Sequence, residues 1–325
     1  MHVALLGTGL LGAAVGRRLL ERGHRLIVWN RHRERLLPLL EAGAGGARAA
    51  QEAAGPAEAI AAAGPEGWVI TVLADGPVTA EVLLERAGEA LPGRRVLQMG
   101  TIGPGESRRL AAEVHRRGGA WLEIPVLGSR PEALAGRLQI MAGGPAGLFR
   151  EALPLLRELG PEPVRLGEVG SGLEAKLALN QLIASLTHAF SLSLHLVQAA
   201  GIEVEAFMAL LRGSALHAPT FDKKLGRMLA DDYGDPNFPT AMLRKDLGLF
   251  LETARTHGIV TGGLEGLERL LQGSGPAGLD DLDYSALHRL TATPPTPPAG
   301  AAPPPGNDSP PAPSSPPPRG SGDRP

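Results

Sequence analysis

Lys176 and Asn180 stand four residues apart in the stretch Gly170-Ser171-Gly172-Leu173-Glu174-Ala175-Lys176-Leu177-Ala178-Leu179-Asn180-Gln181. On a helix that spacing puts an amine and an amide on one face. Leu177, Leu179, Leu182 and Ile183 around them are apolar. The lysine must therefore enter a polar cleft or snorkel to solvent. In a cleft, desolvation and a neighbouring cation would lower its pKa toward the range where it can exchange a proton with a substrate oxygen. The spacing alone leaves both readings open.

A second constellation lies at the start of the chain, where Gly7, Gly9 and Gly12 form G-x-G-x-x-G around Leu10 and Leu11. It follows the apolar run Val3–Leu6 and opens a helical stretch, Leu10 to Glu21, closed by Gly23. The chemistry of dinucleotide binding needs this layout. One glycine permits the tight turn, one lets the backbone approach a pyrophosphate, and one lets helix and strand pack closely. The helix N-terminus adds N–H donors and a positive dipole. At the tip of the second apolar run an acidic residue would select the ribose 2′-hydroxyl of NAD. Here the chain reads Trp29-Asn30-Arg31-His32-Arg33. Asn30 does not repel an anion, and Arg31, with Arg33 in support, offers planar donor forks for a 2′-phosphate. NADP(H) is expected in preference to NAD(H).

These residues need a scaffold, and the patterning supplies one. Short apolar runs (Val3–Leu6, Leu26–Trp29, Trp68–Leu73, Arg95–Met99, Trp121–Val126, Leu138–Met141) alternate with helical stretches up to about Leu166. Such runs are strands of a mostly parallel sheet buried on both faces, the layout of a doubly wound α/β domain. After Gly167 the strand signals stop. Helical segments follow to about Leu290, punctuated at Gly201, Gly213, Pro219, Pro236, Pro239, Gly258 and Pro276. The expected organisation is a Rossmann-like domain over 1–167, an all-α domain for substrate and dimerisation over 168–291, and a disordered Pro-rich tail over 292–325. A length of 325 residues suits two such domains.

Composition narrows the partners. There is no cysteine, so disulfides, thiolate metal sites and cysteine nucleophiles are excluded. The nine histidines are scattered without ligand spacing, and no metal is expected. A formal net charge of −2 and 3% aromatic residues argue against nucleic acid. The N-terminus does not read as a secretory signal, and a cytoplasmic location is expected. Leu177 to Ala200 is long enough for a bilayer, but Asn180, Gln181, His188, His195 and Gln198 would be costly in lipid. A helix buried between protein surfaces is expected instead, with no membrane partner. Its uncharged face exceeds what one domain needs, which points to a homodimer.

Five blocks, in order, resemble the β-hydroxyacid dehydrogenase family of the 6-phosphogluconate dehydrogenase superfamily, which includes 3-hydroxyisobutyrate dehydrogenase and the glyoxylate/succinic semialdehyde reductases. They are Gly7-Thr8-Gly9-Leu10-Leu11-Gly12, Gly100 to Ser107, Glu123-Ile124-Pro125-Val126-Leu127-Gly128-Ser129, Gly170 to Gln181, and Lys245-Asp246-Leu247-Gly248-Leu249. The likeness spans roughly residues 1 to 290. It implies that Lys176 is the general acid/base and that Asn180 bonds the substrate near its reacting oxygen. Thr101 would lie beside nicotinamide and substrate carboxylate, with Gly128 and Ser129 donating to that carboxylate. Lys245 would close the site and touch cofactor and substrate, Asp246 would orient the cluster, and Leu73 with Ala74 would lie against the cofactor.

The implied activity is NADP(H)-dependent interconversion of a small hydroxy acid and its aldehyde or keto acid. One departure concerns Leu127, which stands where the family carries a substrate-binding serine. The loss of that hydroxyl makes the pocket more apolar and should weaken the hold on a small polar acid by about 1 kcal/mol. Two other readings are weighed, an NADPH-dependent imine reductase and a non-catalytic dinucleotide-binding scaffold; Lys176 argues against the first, and Lys176, Asn180 and Lys245 against the second. The Lys-x-x-His-Asn pattern of 6-phosphogluconate dehydrogenase itself is not matched, because Leu179 precedes Asn180.

Overall fold

A computed structural model describes residues 1–43 and 49–292. The six apolar runs form the strands β1 (His2–Leu6), β2 (Arg25–Trp29), β4 (Trp68–Thr71), β5 (Arg95–Gln98), β6 (Ala120–Glu123) and β8 (Gln139–Gly143). Three short strands complete the sheet: β3 (Ala50–Glu52), β7 (Val126–Leu127) and β9 (Val164–Gly167). The order is β3-β2-β1-β4-β5-β6-β8-β7, with β9 on β8. β1 to β6 are mutually parallel. β8 runs antiparallel to β6 and β7. Alternate residues of one strand serve opposite cores: Val3 and Leu5 join one buried cluster, Ala4 and Leu6 the other. This is why the runs read as continuously apolar rather than alternating.

The strand registers determine where the site lies. Leu6 pairs with both Trp29 and Thr71, and Thr71, Gln98 and Glu123 line up across β4, β5 and β6. The residues that follow all emerge along one carboxyl edge of the sheet, the edge where open α/β folds bind their ligands.

The last strand ends at Gly167, and the elements after it are helical: Ser171–Ala199, Val204–Arg212, Pro219–Ala230, Thr240–Thr256 and Gly262–Gln272, with two short turns of helix near Tyr284–Thr291. Together residues Met1–Ala292 pack as one unit. The expected Pro-rich tail lies, beyond Ala292, outside the described residues. The 29-residue helix Ser171–Ala199 has the length and apolarity of a membrane span. It nevertheless buries Lys176, Asn180, Thr187 and Ser191 against protein. Leu182, Leu192 and Leu196 remain exposed along one side of it.

The first turn of this helix is tied to the sheet by a carboxylate. Glu123, at the end of β6, is fully buried. Its Oε1 accepts from the backbone N–H of Gly170 (2.8 Å), Gly172 (2.9 Å) and Leu173 (3.3 Å). Its Oε2 accepts from the Ser107 hydroxyl at 2.6 Å. Those N–H groups belong to the helix start, which has no intrahelical acceptor for them, and an anion there complements the dipole. Burial pushes the Glu123 carboxyl up in pKa, while the four hydrogen bonds favour its anion.

Candidate active site

A cleft of about 1220 Å³ runs from the carboxyl edge of the sheet to the helical half. Apart from Arg33, the residues singled out from the sequence line it: Gly7, Gly9, Leu10, Leu11, Gly12, Asn30, Arg31, Leu73, Ala74, Thr101, Leu127, Gly128, Ser129, Lys176, Asn180, Lys245 and Asp246.

At the β1 end the glycines carry distinct loads. A Cβ on Gly12 would sit 2.1 Å from the Gly7 carbonyl oxygen, so helix and strand can approach only without it. A Cβ on Gly9 would meet nothing within 4 Å. It would instead project into the space where a pyrophosphate must come close to the backbone. This open cradle at the helix N-terminus fits a dinucleotide. Beside it the Asn30 amide donates to the Thr8 hydroxyl at 3.0 Å, and its Oδ1 accepts from the His32 N–H at 2.9 Å. Asn30 thereby holds the turn at the tip of β2 together. Arg31 lines the cleft there together with Arg35. Arg33 corrects the expectation of support for Arg31. It forms a two-pronged pair with Glu52 of β3, both contacts 2.8 Å, and is turned away from the cleft.

At the far end Lys176 is 8% exposed and makes no hydrogen bond or ion pair with any described residue. Its pKa is lowered to about 8. Burial is the main cause; Asp246 opposes it, and Lys245 adds to it. The polar-cleft reading of Lys176 thus holds against the snorkelling one. Asn180 donates from Nδ2 to the Asp246 carboxylate at 2.6 Å, while its Oδ1 is buried without a partner. One helix face therefore carries an ammonium and an amide oxygen that no protein group satisfies, the state expected of atoms awaiting a ligand.

Lys245 spans the cleft from the helical half. Its ammonium donates to the carbonyl oxygens of Ala74 (2.9 Å) and Thr101 (2.5 Å), at the ends of the loops after β4 and β5. The same ammonium lies 2.9 Å from Asp246 Oδ1 as an ion pair. That contact lacks hydrogen-bond alignment, so Oδ1 remains without a hydrogen bond. Lys245 thus ties the helical half to backbone on the sheet side of the cleft. Thr101 and Ala74 take part through their carbonyls.

On the third side, Ser129 lines the cleft, but its hydroxyl and its N–H both donate to Glu132, at 2.8 and 2.7 Å. It is engaged as the start of the Arg130–Ala135 helix and does not offer its hydroxyl to a carboxylate. Arg130 is likewise engaged, by Asp235 at 2.8 Å. Residues to which the sequence reading gave no role in the site also face the cleft: Arg35, Ile183, Phe238, Met242 and Tyr284. Ile183 was detectable, since it continues the stripe Lys176, Asn180 at helical spacing. Phe238 and Met242 reach the site only through the tertiary fold.

Residues 2–167 match the family model of the NAD binding domain of 6-phosphogluconate dehydrogenase. Residues 170–291 match that described as NAD-binding of NADP-dependent 3-hydroxyisobutyrate dehydrogenase. Among curated relatives, glyoxylate/succinic semialdehyde reductase 1 of Arabidopsis thaliana is 30% identical over 290 residues, covering 88% of this chain and 97% of the relative. Among solved structures, 3-hydroxyisobutyrate dehydrogenase from Salmonella typhimurium superposes with a TM-score of 0.77 at 22% identity, covering 89% of this chain and 99% of that one. An imine reductase from Myxococcus stipitatus shares the fold less closely, with a TM-score of 0.60 at 19% identity over 90% of this chain and 100% of that one.

Proposed function

This chain belongs to the β-hydroxyacid dehydrogenase family, oxidoreductases acting on CH–OH groups, and on that premise we propose that it interconverts a short hydroxy acid and its aldehyde or keto acid with NADP(H). The observation that carries the reading is Lys176, buried at the cleft with no hydrogen-bond or ion-pair partner among the described residues and a pKa lowered to about 8. An amine in that state can give a proton to a forming alcohol oxygen and take it back in the reverse direction near neutral pH.

The cofactor supplies the hydride. The protein residues around it bind, orient and transfer protons. The first-turn glycines would receive the pyrophosphate, and Arg31 with Arg35 would grip the 2′-phosphate that distinguishes NADP from NAD. Lys245, fixed on the Ala74 and Thr101 carbonyls, holds the two cleft walls together, where it would lie against the cofactor. Asp246 holds the Asn180 amide in one orientation and raises the basicity of Lys176. With Ser129 engaged by Glu132, the substrate carboxylate falls to the backbone donor of Gly128.

A screen of NADPH consumption with glyoxylate, succinic semialdehyde, tartronate semialdehyde and methylmalonate semialdehyde, alongside one cyclic imine, tests the proposal. Turnover of at least one carbonyl acid and none of the imine is expected. Turnover of the imine alone would replace this reading with that of an imine reductase.

A further inference from the structure

The turn at Leu127-Gly128-Ser129 is short of donors. Leu127 has no hydroxyl, and the Ser129 hydroxyl is given to Glu132 at 2.8 Å. The backbone N–H of Gly128 remains, in a turn whose φ of 124° suits glycine. A carboxylate has two oxygens with about four lone-pair sites. One donor leaves most of that capacity unmet in a site that sheds water.

The facing wall is residues 234–238 of the helical half, and it is latched onto this turn. Asp235 accepts from Arg130, the neighbour of Ser129, at 2.8 Å. Arg227 donates to the Gly234 carbonyl at 2.6 Å and to the Asp235 carbonyl at 3.3 Å. These contacts hold Asp235 in the left-handed backbone region, at φ 42°, which an aspartate enters only under constraint. At the other end the Tyr284 N–H donates to the Phe238 carbonyl at 3.0 Å. Asn237 stands between the two anchors.

Asn237 lines the cleft with Leu127, Gly128 and Ser129. Its Oδ1 is buried without a hydrogen bond, and its side chain makes none with any described residue. Folded proteins leave few amides so placed. The loop is pinned by Arg130, Arg227 and Tyr284, so the amide does not serve to hold it. An amide can turn either its NH₂ or its oxygen to a ligand, and a carboxylate, which only accepts, selects the NH₂.

We propose that Asn237 donates to the substrate carboxylate from across the cleft, in place of the hydroxyl that Leu127 lacks, and thereby selects for the acid group. This rests on the hydroxyacid dehydrogenase reading above and adds to it a specificity-determining residue. The carboxylate is then held from both halves, by Gly128 on the sheet side and Asn237 on the helical side. A neutral donor suits the place. A lysine or arginine there would add a cation and lower the pKa of Lys176 further.

The test uses the carbonyl acid that the screen above selects, its methyl ester, and NADPH. Asn237→Ala should raise KM for the acid about 10- to 100-fold, the worth of a hydrogen bond to a charged group, with a smaller change in kcat. KM for the ester should rise only about two- to fivefold, the range of a neutral hydrogen bond. Asn237→Asp, equal in size but charged and without a donor, should raise KM for the acid beyond the alanine variant; if it is insoluble, Asn237→Ala decides alone. NADPH affinity by fluorescence titration and the melting temperature should match the parent. An unchanged KM for the acid overturns the inference. So does an equal loss for acid and ester, which would mean packing, or a weakened hold on NADPH, which would place Asn237 against the cofactor. In each of these cases the parent's turnover of the acid still upholds the hydroxyacid dehydrogenase reading. A parent that reduces none of the acids removes that reading, and the role of Asn237 with it.

Discussion

The side-chain amide of Asn180 donates to the carboxylate of Asp246 at 2.6 Å, joining the helix that carries Lys176 to the helix that carries Lys245. Asp246 thereby does two things. It allows only one orientation of the amide, because a turned amide would set oxygen against oxygen, and it places a negative charge where it raises the pKa of Lys176.

The first consequence is a pH dependence. Reduction needs Lys176 protonated, so kcat/KM for carbonyl reduction should be level in mild acid and fall as pH rises through about 8. Oxidation of the alcohol needs the neutral amine and should rise through the same value. Asp246→Asn removes the charge that raises the pKa and should move both limbs to lower pH. Lys245→Met removes a charge that lowers it and should move them higher. Profiles of the three proteins measure the displacement, and limbs that stay fixed would dissociate Lys176 from the titration.

Removal of the amine should separate binding from chemistry. Lys176→Ala is expected to bind NADPH as the parent does, by fluorescence titration, while kcat drops about 10²- to 10⁴-fold, the usual contribution of a general acid. Undiminished kcat would assign the proton to another group.

Cofactor choice should reside in Arg31 and Arg35. Arg31→Ala and Arg35→Ala, singly and together, should weaken NADPH about 10- to 100-fold, a few kcal/mol of charge-assisted hydrogen bonding, and leave NADH nearly unchanged. Arg33→Ala, whose guanidinium is held by Glu52, should leave both alone. The ratio of kcat/KM values for the two cofactors is the measurement.

The Lys224–Asp283 pair should matter for stability. Asp283 is fully buried, and Lys224 is 5% exposed. Lys224→Met leaves a buried carboxylate without its counter-charge, and a loss of about 3–5 kcal/mol is expected from urea unfolding. Lys224→Met with Asp283→Leu together should recover much of it, because neither charge is then stranded.

A second copy of the chain is proposed to cover the exposed side of the long helix. Leu192 is 48% exposed and Leu196 71%, and solvated leucines of this size along one face indicate an interface. Sedimentation at micromolar concentration should give a homodimer, and Leu192→Asp with Leu196→Asp should give a monomer.

The parts of this site that the sequence exposed are those built within one element. Gly7, Gly9 and Gly12 report a turn, and Lys176 and Asn180 report a helix face, by spacing alone. The strands missed were β3 and β9, whose residues are partly exposed and so carry no apolar run, and the single run Trp121–Val126 is divided into β6 and β7, with different partners. Contacts between distant segments were also invisible. Nothing in the local pattern says that Glu52 will take Arg33, that Glu132 will engage Ser129, or that Lys245 will reach the Ala74 carbonyl 171 residues away. Glu123 gave a signal that went unused: a carboxylate closing an otherwise apolar run must find several donors, and it finds them at Gly170, Gly172 and Leu173.

Because Glu123 pins the first turn and the helix then continues unbroken, the azimuth of everything downstream is set at that anchor. One residue inserted between Leu173 and Lys176 would rotate Lys176, Asn180 and Ile183 together by about 100°, facing the ammonium into the core and a leucine into the cleft. Loops elsewhere in the chain can lengthen or shorten over evolutionary time. This turn cannot be re-indexed without dismantling the chemistry.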